Sequence, residues 1–105
     1  MTIGAYTIQI HLPGSRSLKD KRQVLRRLKD RLRAHHNVAL AESENHAGLW
    51  QRAELVVVSV AATRDALVRL FETVHAEVET LVPGHVIELG TDFVESADGW
   101  IEENP

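Results

Sequence analysis

Nine bases crowd residues 16–36: Arg16, Lys19, Lys21, Arg22, Arg26, Arg27, Lys29, Arg31 and Arg33, against only Asp20 and Asp30, a net charge of +7. On a helix, Lys19, Arg22, Arg26, Lys29 and Arg33 recur at i+3 and i+4 and form one basic stripe. Cations along one helical face neutralise phosphates and release counterions, giving sequence-independent affinity for nucleic acid. A solvated helix face balanced by an acidic neighbour would carry the same residues. Such a neighbour is available: residues 65–105 hold one base, Arg69, against ten acids, a net charge of −9. The overall charge of −3 therefore describes a strongly polarised chain.

Three further residues join the candidate nucleic-acid-binding set. Lys21 has a helical phase inside an apolar stripe, so it either pairs with Glu42, caps a carbonyl or snorkels out to a phosphate. Trp50 precedes Gln51 and Arg52. A tryptophan beside an arginine can stack on a base, or it can plug the end of a small core.

Other chemistries find less support. His11, His35, His36, His46, His75 and His85 show no HxH or HxxxH spacing, and there is no cysteine, so no metal site is expected. His35 and His36 instead suit the carbonyls at a helix C-terminus. There is no GxSxG, P-loop or dinucleotide-binding glycine pattern, so neither an enzyme nor a cofactor is expected. An enzymatic reading would need a cleft where two or more titratable residues converge.

These residues must be held by elements that the sequence also predicts. Residues 2–12 alternate, with Tyr6, Ile8, Ile10 and Leu12 on one side, which predicts a strand with one buried face. Pro13-Gly14-Ser15 ends it, and Ser17 is a good N-cap for a helix over 18–35 whose core stripe is Leu18, Leu25, Leu28 and Leu32. A strand over 38–43 and a hairpin loop at 45–48 follow. The next strand, over 49–62, is apolar on both faces around Leu55 to Val60, which predicts a central position. Thr63 caps a second helix with Leu67, Leu70, Phe71, Val74, Val78 and Leu81 inward, stopped by Pro83-Gly84. The last strand, over 85–95, is expected to set Ile87, Leu89 and Phe93 on one side and Glu88 and Asp92 on the other.

The order β-α-β-β-α-β, with right-handed crossovers, predicts an α+β split β-α-β sandwich, the ferredoxin-like fold. Its sheet should be antiparallel in the order 4-1-3-2, with both helices on one face. The domain should occupy residues 1–96, with an acidic tail at 97–105. No stretch is apolar enough to span a membrane and no signal sequence is evident, so a cytoplasmic location is expected.

Two blocks carry a resemblance. Leu12-Pro13 with Ser17-Leu18-Lys19 and Lys21-Arg22, then Leu49-Trp50-Gln51-Arg52-Ala53, resemble the bacterial YlxP-like family, a domain of unknown function, over roughly residues 3–95. Asn37-Val38 and Ala41-Glu42 add to it, although His36 stands where an aromatic residue commonly precedes the Asn-Val pair. The resemblance implies a ferredoxin-like domain without an assigned catalytic mechanism. It implies a connection to rRNA or the ribosomal particle only through neighbouring genes for translation initiation and ribosome maturation.

The expected function is a non-enzymatic binding module that engages RNA through the basic first helix. The alternative is a protein-interaction module or a dimeric structural domain. RNA stacking on the sheet itself is disfavoured, because Val56, Val57 and Val58 stand where an RNA-recognition sheet carries aromatics. The sheet face away from the helices should offer Ile3, Ala5, Thr7, Gln9 and His11. One apolar row of the third strand joins them, either Val56, Val58 and Val60 or Leu55, Val57 and Ala61, and the last strand adds Glu88, Gly90 and Asp92. An apolar centre with a charged rim is interface anatomy, so a homodimer through this face is expected.

Overall fold

A computed structural model describes residues 1–82 and 85–95. The elements run β1 (Thr2–His11), α1 (Leu18–His35), β2 (Ala39–Glu42), β3 (Arg52–Ala61), α2 (Arg64–Leu81) and β4 (His85–Glu95). The four strands form one antiparallel sheet in the order β2-β3-β1-β4. This is the ferredoxin-like arrangement, with both central strands apolar. The tail expected at 97–105 and the Pro83-Gly84 stop lie outside the described residues.

Both helices start where the sequence offers a cap. The Ser17 hydroxyl accepts from the Asp20 amide at 3.0 Å, and the Asp20 carboxylate accepts from the Arg16 amide at 3.0 Å. Thr63 accepts from the Ala66 amide at 3.2 Å. Each cap satisfies an amide the first turn cannot bond internally. The core lies between sheet and helices. Tyr6, Ile8 and Ile10 of β1 and Ala53, Leu55 and Val57 of β3 meet Leu25, Leu28 and Leu32 of α1 and Leu67, Phe71, Val74 and Val78 of α2. Gly4 gives α2 its close approach: a Cβ there would sit 2.8 Å from the Phe71 ring and 3.1 Å from Leu67 Cδ1.

Three expectations need correction. β2 ends at Glu42 and β3 begins at Arg52, so the connection is a nine-residue loop that includes Leu49-Trp50-Gln51. The Gln51 amide explains the late start: it donates to the Pro13 carbonyl at 3.1 Å and holds the loop against the end of β1. Trp50 does not plug the core; it is 52 % exposed.

In β4 the pairing with β1 shifts between Thr7 and Ile8, so that Gly90 opposes Thr7, Glu88 opposes Ile8 and Leu89 is the extra residue of a bulge. One inserted residue reverses the alternation. Ile87 therefore opposes Gln9 on the face away from the helices and is 52 % exposed, whereas Phe93 opposes Gly4 on the helix side. Glu88, expected on the open face, turns towards α2.

The exposed row of β3 is Val56, Val58 and Val60, opposite Thr7, Ala5 and Ile3. With Ala39 and Ala41 of β2 and Ile87 and Val94 of β4, the open face is more apolar than the alternation in the sequence implied.

Candidate functional site

The apolar stripe of α1 points at the sheet and leaves two flanks. Arg22, Arg26, Lys29 and Arg33 line the flank beside the edge strand β2, around a depression of about 360 Å³ with Asp30 and Glu42 at its rim. Lys19 continues the stripe towards the helix N-terminus. The guanidinium of Arg33 donates to the Leu40 carbonyl at 3.3 Å, which pins the last member to β2. Arg27 and Arg31 fall on the other flank, against Leu81 of α2.

Among the described residues, no carboxylate forms an ion pair with Lys19, Arg22, Arg26, Lys29 or Arg33. The acidic second helix does not neutralise the stripe. Its Glu77 engages the end of α1 and its Glu79 engages His75.

Lys21 leaves this group. It is 2 % exposed, and its ammonium donates to the carbonyls of His46 at 3.0 Å, Ala47 at 3.3 Å and Arg52 at 3.2 Å. Glu42 stands 3.5 Å away. These partners use every N–H of the ammonium, so Lys21 ties the β2–β3 loop to α1 and presents nothing to a phosphate. His46, one of its acceptors, has a φ of 93°, a backbone conformation that a non-glycine residue keeps only when its surroundings impose it.

Trp50 and Arg52 also separate from the stripe. The Arg52 side chain lies on the open sheet face opposite His11, and Trp50 borders a shallow pocket with His11, Leu49 and Arg52. The sheet stands between this group and the basic flank of α1. The eight sequence candidates thus divide into a five-residue helical stripe, one buried tie and a two-residue group on the opposite layer.

Two groupings were not legible in the sequence. Glu88, turned inward by the bulge, lines a cavity of about 440 Å³ between α2 and β4 with Tyr6, Phe71, His75, Glu79 and Phe93. The Tyr6 hydroxyl lies 2.6 Å from His75 Nδ1, and His75 Nε2 lies 3.5 Å from Glu79. Burial, then the negative charge of Glu88 and of Glu79, pushes the Tyr6 hydroxyl up to about 12. A phenol held protonated is a donor and not a base, and the Tyr6 hydroxyl faces His75 Nδ1. Titratable groups do converge here, as an enzymatic reading would require: Tyr6, His75, Glu79 and Glu88 line one cavity.

The second grouping joins the helices. His35 Nδ1 and His36 Nε2 each lie 2.7 Å from one oxygen of the Glu77 carboxylate. The two histidines were expected to bond the last carbonyls of α1. They turn to α2 instead, and the amide of His36 closes the helix onto Leu32. Burial works against the Glu77 charge, but the hydrogen bonds from His36 and then His35 prevail and hold its carboxyl below the ordinary range.

Fold and site together define a two-layer split β-α-β domain with a free basic helical flank, an apolar open sheet and a bridge between its helices. The chain belongs to the family described as protein of unknown function, DUF503, which matches residues 3–91 and whose members are commonly called YlxP-like. No curated protein matches it. Among solved structures, a de novo designed protein, Foldit4, is similar at 10 % identity with a TM-score of 0.49, covering 91 % of this chain and 98 % of that one. Among the described residues, no helix is long and apolar enough to cross a membrane.

Proposed function

We propose that this domain is a non-enzymatic binding module that engages structured RNA, such as rRNA in a ribosomal particle, along the β2-side flank of α1. The observation that supports the reading is the row of five cations, Lys19, Arg22, Arg26, Lys29 and Arg33, free of carboxylate partners among the described residues. A salt-bridged face would exchange one ion pair for another on binding; an unpaired one releases counterions at each phosphate. Five contacts correspond to a slope of log K against log salt of about −4, or roughly a 200-fold loss of affinity between about 50 and 200 mM salt. Filter binding to an rRNA fragment across a salt series tests this. Arg22→Glu with Arg26→Glu should weaken binding and flatten the slope by about 2. No affinity at low salt, or an unchanged slope in the double variant, refutes the reading.

A second reading, a homodimer through the open sheet, is favoured by the bulge that places Ile87 there in place of Glu88. A second copy would meet an apolar cluster of Ile3, Val58, Val60 and Val94 at one end of the open face and Ile87 towards the other. Burying roughly 400 Å² of apolar surface on each copy yields roughly 20 kcal/mol gross at ~25 cal/mol/Å², against ~4–15 kcal/mol for association. Sedimentation at high micromolar concentration should find a dimer that Val58→Lys dissociates without unfolding the monomer. A strict monomer ends this reading and leaves the first untouched.

A further inference from the structure

Adjacent residues on a helix point about 100° apart, so consecutive histidines ordinarily diverge. At the end of α1 they converge because the helix stops between them. His35 is the last helical residue, and His36 adopts φ −137° and ψ 153°, an extended conformation that swings its ring back towards α2. The rings stand 6.1 Å apart at 79°. Glu77 sits in the last third of α2, about one turn before its end at Leu81, and each oxygen of its carboxylate faces a different imidazole. One ligand-type atom from each residue, two nitrogens and one oxygen, lies within 4.8 Å of the others.

We infer that His35, His36 and Glu77 form a binding site for a borderline divalent transition metal of the Zn²⁺, Co²⁺ or Ni²⁺ kind. Two imidazoles and one carboxylate match the donor preference of these ions, whereas Ca²⁺ and Mg²⁺ favour all-oxygen sets. Three protein ligands leave at least one position for water, the pattern of an open site. An ion about 2.0–2.1 Å from each ligand would hold neighbouring donors roughly 3 Å apart. The N···O separations of 2.7 Å need only a small opening, and the wider span of the three donors, up to 4.8 Å, closes by rotation of side chains near the surface. His35 is exposed and gives the ion a way in. On binding, each neutral imidazole ligates through the nitrogen that faces Glu77 and carries its single N–H on the opposite ring nitrogen. The ligands come from two helices, so the ion would staple the end of α1 to α2.

The test uses the full chain and the metal ions alone. Co²⁺ should bind one-to-one with the visible absorption of a low-symmetry nitrogen–oxygen site, and Zn²⁺ should displace it. Both ions should raise the melting temperature, and the rise should vanish with chelator. Glu77→Gln and His36→Ala should each weaken Zn²⁺ binding by at least about tenfold. His35→Gln, altered at an exposed ring, keeps the test valid if either of those variants misfolds. The His11–His85 pair, with rings 6.4 Å apart on the open sheet, is the built-in control. Replacing both with alanine should leave the affinity unchanged. Absence of saturable binding overturns the proposal. So does binding that survives Glu77→Gln and His35→Gln, or binding lost with the His11–His85 pair.

Discussion

Replacing Lys21 with methionine isolates the buried tie between α1 and the β2–β3 loop. Methionine keeps the length and apolar character of the lysine stem, so the neighbouring leucines of α1 lose little packing. What disappears is one ammonium that donates to three carbonyls at 3.0–3.3 Å and faces Glu42 at 3.5 Å. Each charge-assisted bond is worth about 1.5–3 kcal/mol, but the three share the desolvation cost of a single ion and do not add. The carbonyls of His46, Ala47 and Arg52 are left without a donor at about 1–3 kcal/mol each where water cannot reach them. Some relief comes from the loop, which can turn the His46 and Ala47 carbonyls outward. Glu42 is 27 % exposed and recovers hydration, so its half of the pair is a small loss. The net expectation is about 3 kcal/mol, the lower end for breaking a buried charge pair. In a domain of this size that lowers the melting temperature by about 10–15 °C. Urea unfolding followed by circular dichroism reads the free energy, and amide exchange across residues 46–52 should accelerate more than in the core strands. RNA affinity and its salt slope, measured well below the variant's melting point, should not change. A loss under about 1 kcal/mol would show that the loop holds itself. A flattened salt slope would return Lys21 to the phosphate-binding stripe.

Other substitutions probe other links. Gly4→Ala drives a Cβ into the Phe71 ring, itself stacked on Tyr6 at 5.2 Å, and should cost about 1–3 kcal/mol by urea unfolding; a neutral result would mean the ring yields freely. Tyr6 is the sole tyrosine, so phenolate absorbance follows it alone, and the native midpoint should lie near 12 and not at 10.0. Because the folded value is raised, the neutral phenol's contribution to stability is complete below pH 10 and is lost as pH rises through about 12. A native midpoint at 10.0 would refute the burial argument. Trp50→Ala should change stability by no more than about 0.5 kcal/mol, as expected for an exposed side chain, whereas a loss above about 2 kcal/mol would restore its role as a core plug.

The sequence alone determined the element order, both helix spans, their caps and the central place of β3. Each rests on local physics: a 3.6-residue apolar period, a hydroxyl beside the first turn, or a run of β-branched residues too apolar to face water. It also located the basic stripe, because i+3 and i+4 spacing sets a helical face before any tertiary contact exists. The dual reading of Lys21 belongs here too, since its phase placed it among the leucines, although only burial decided between carbonyls and phosphate. Local pattern could not reveal the bulge at Leu89. A period-2 alternation reads the same until pairing with β1 inserts one extra residue, and that insertion sent Ile87 to the open face and Glu88 to the cleft beside Tyr6. Nor could spacing foretell the His35–His36–Glu77 grouping. Its third member lies more than forty residues away, and its two neighbours meet only because α1 ends between them. Trp50 and Arg52 sat beside the stripe as candidates in the sequence, yet the sheet lies between them and it. Local interactions shape single elements, whereas the alignment of groups distant in sequence exists only once the chain has closed into two layers.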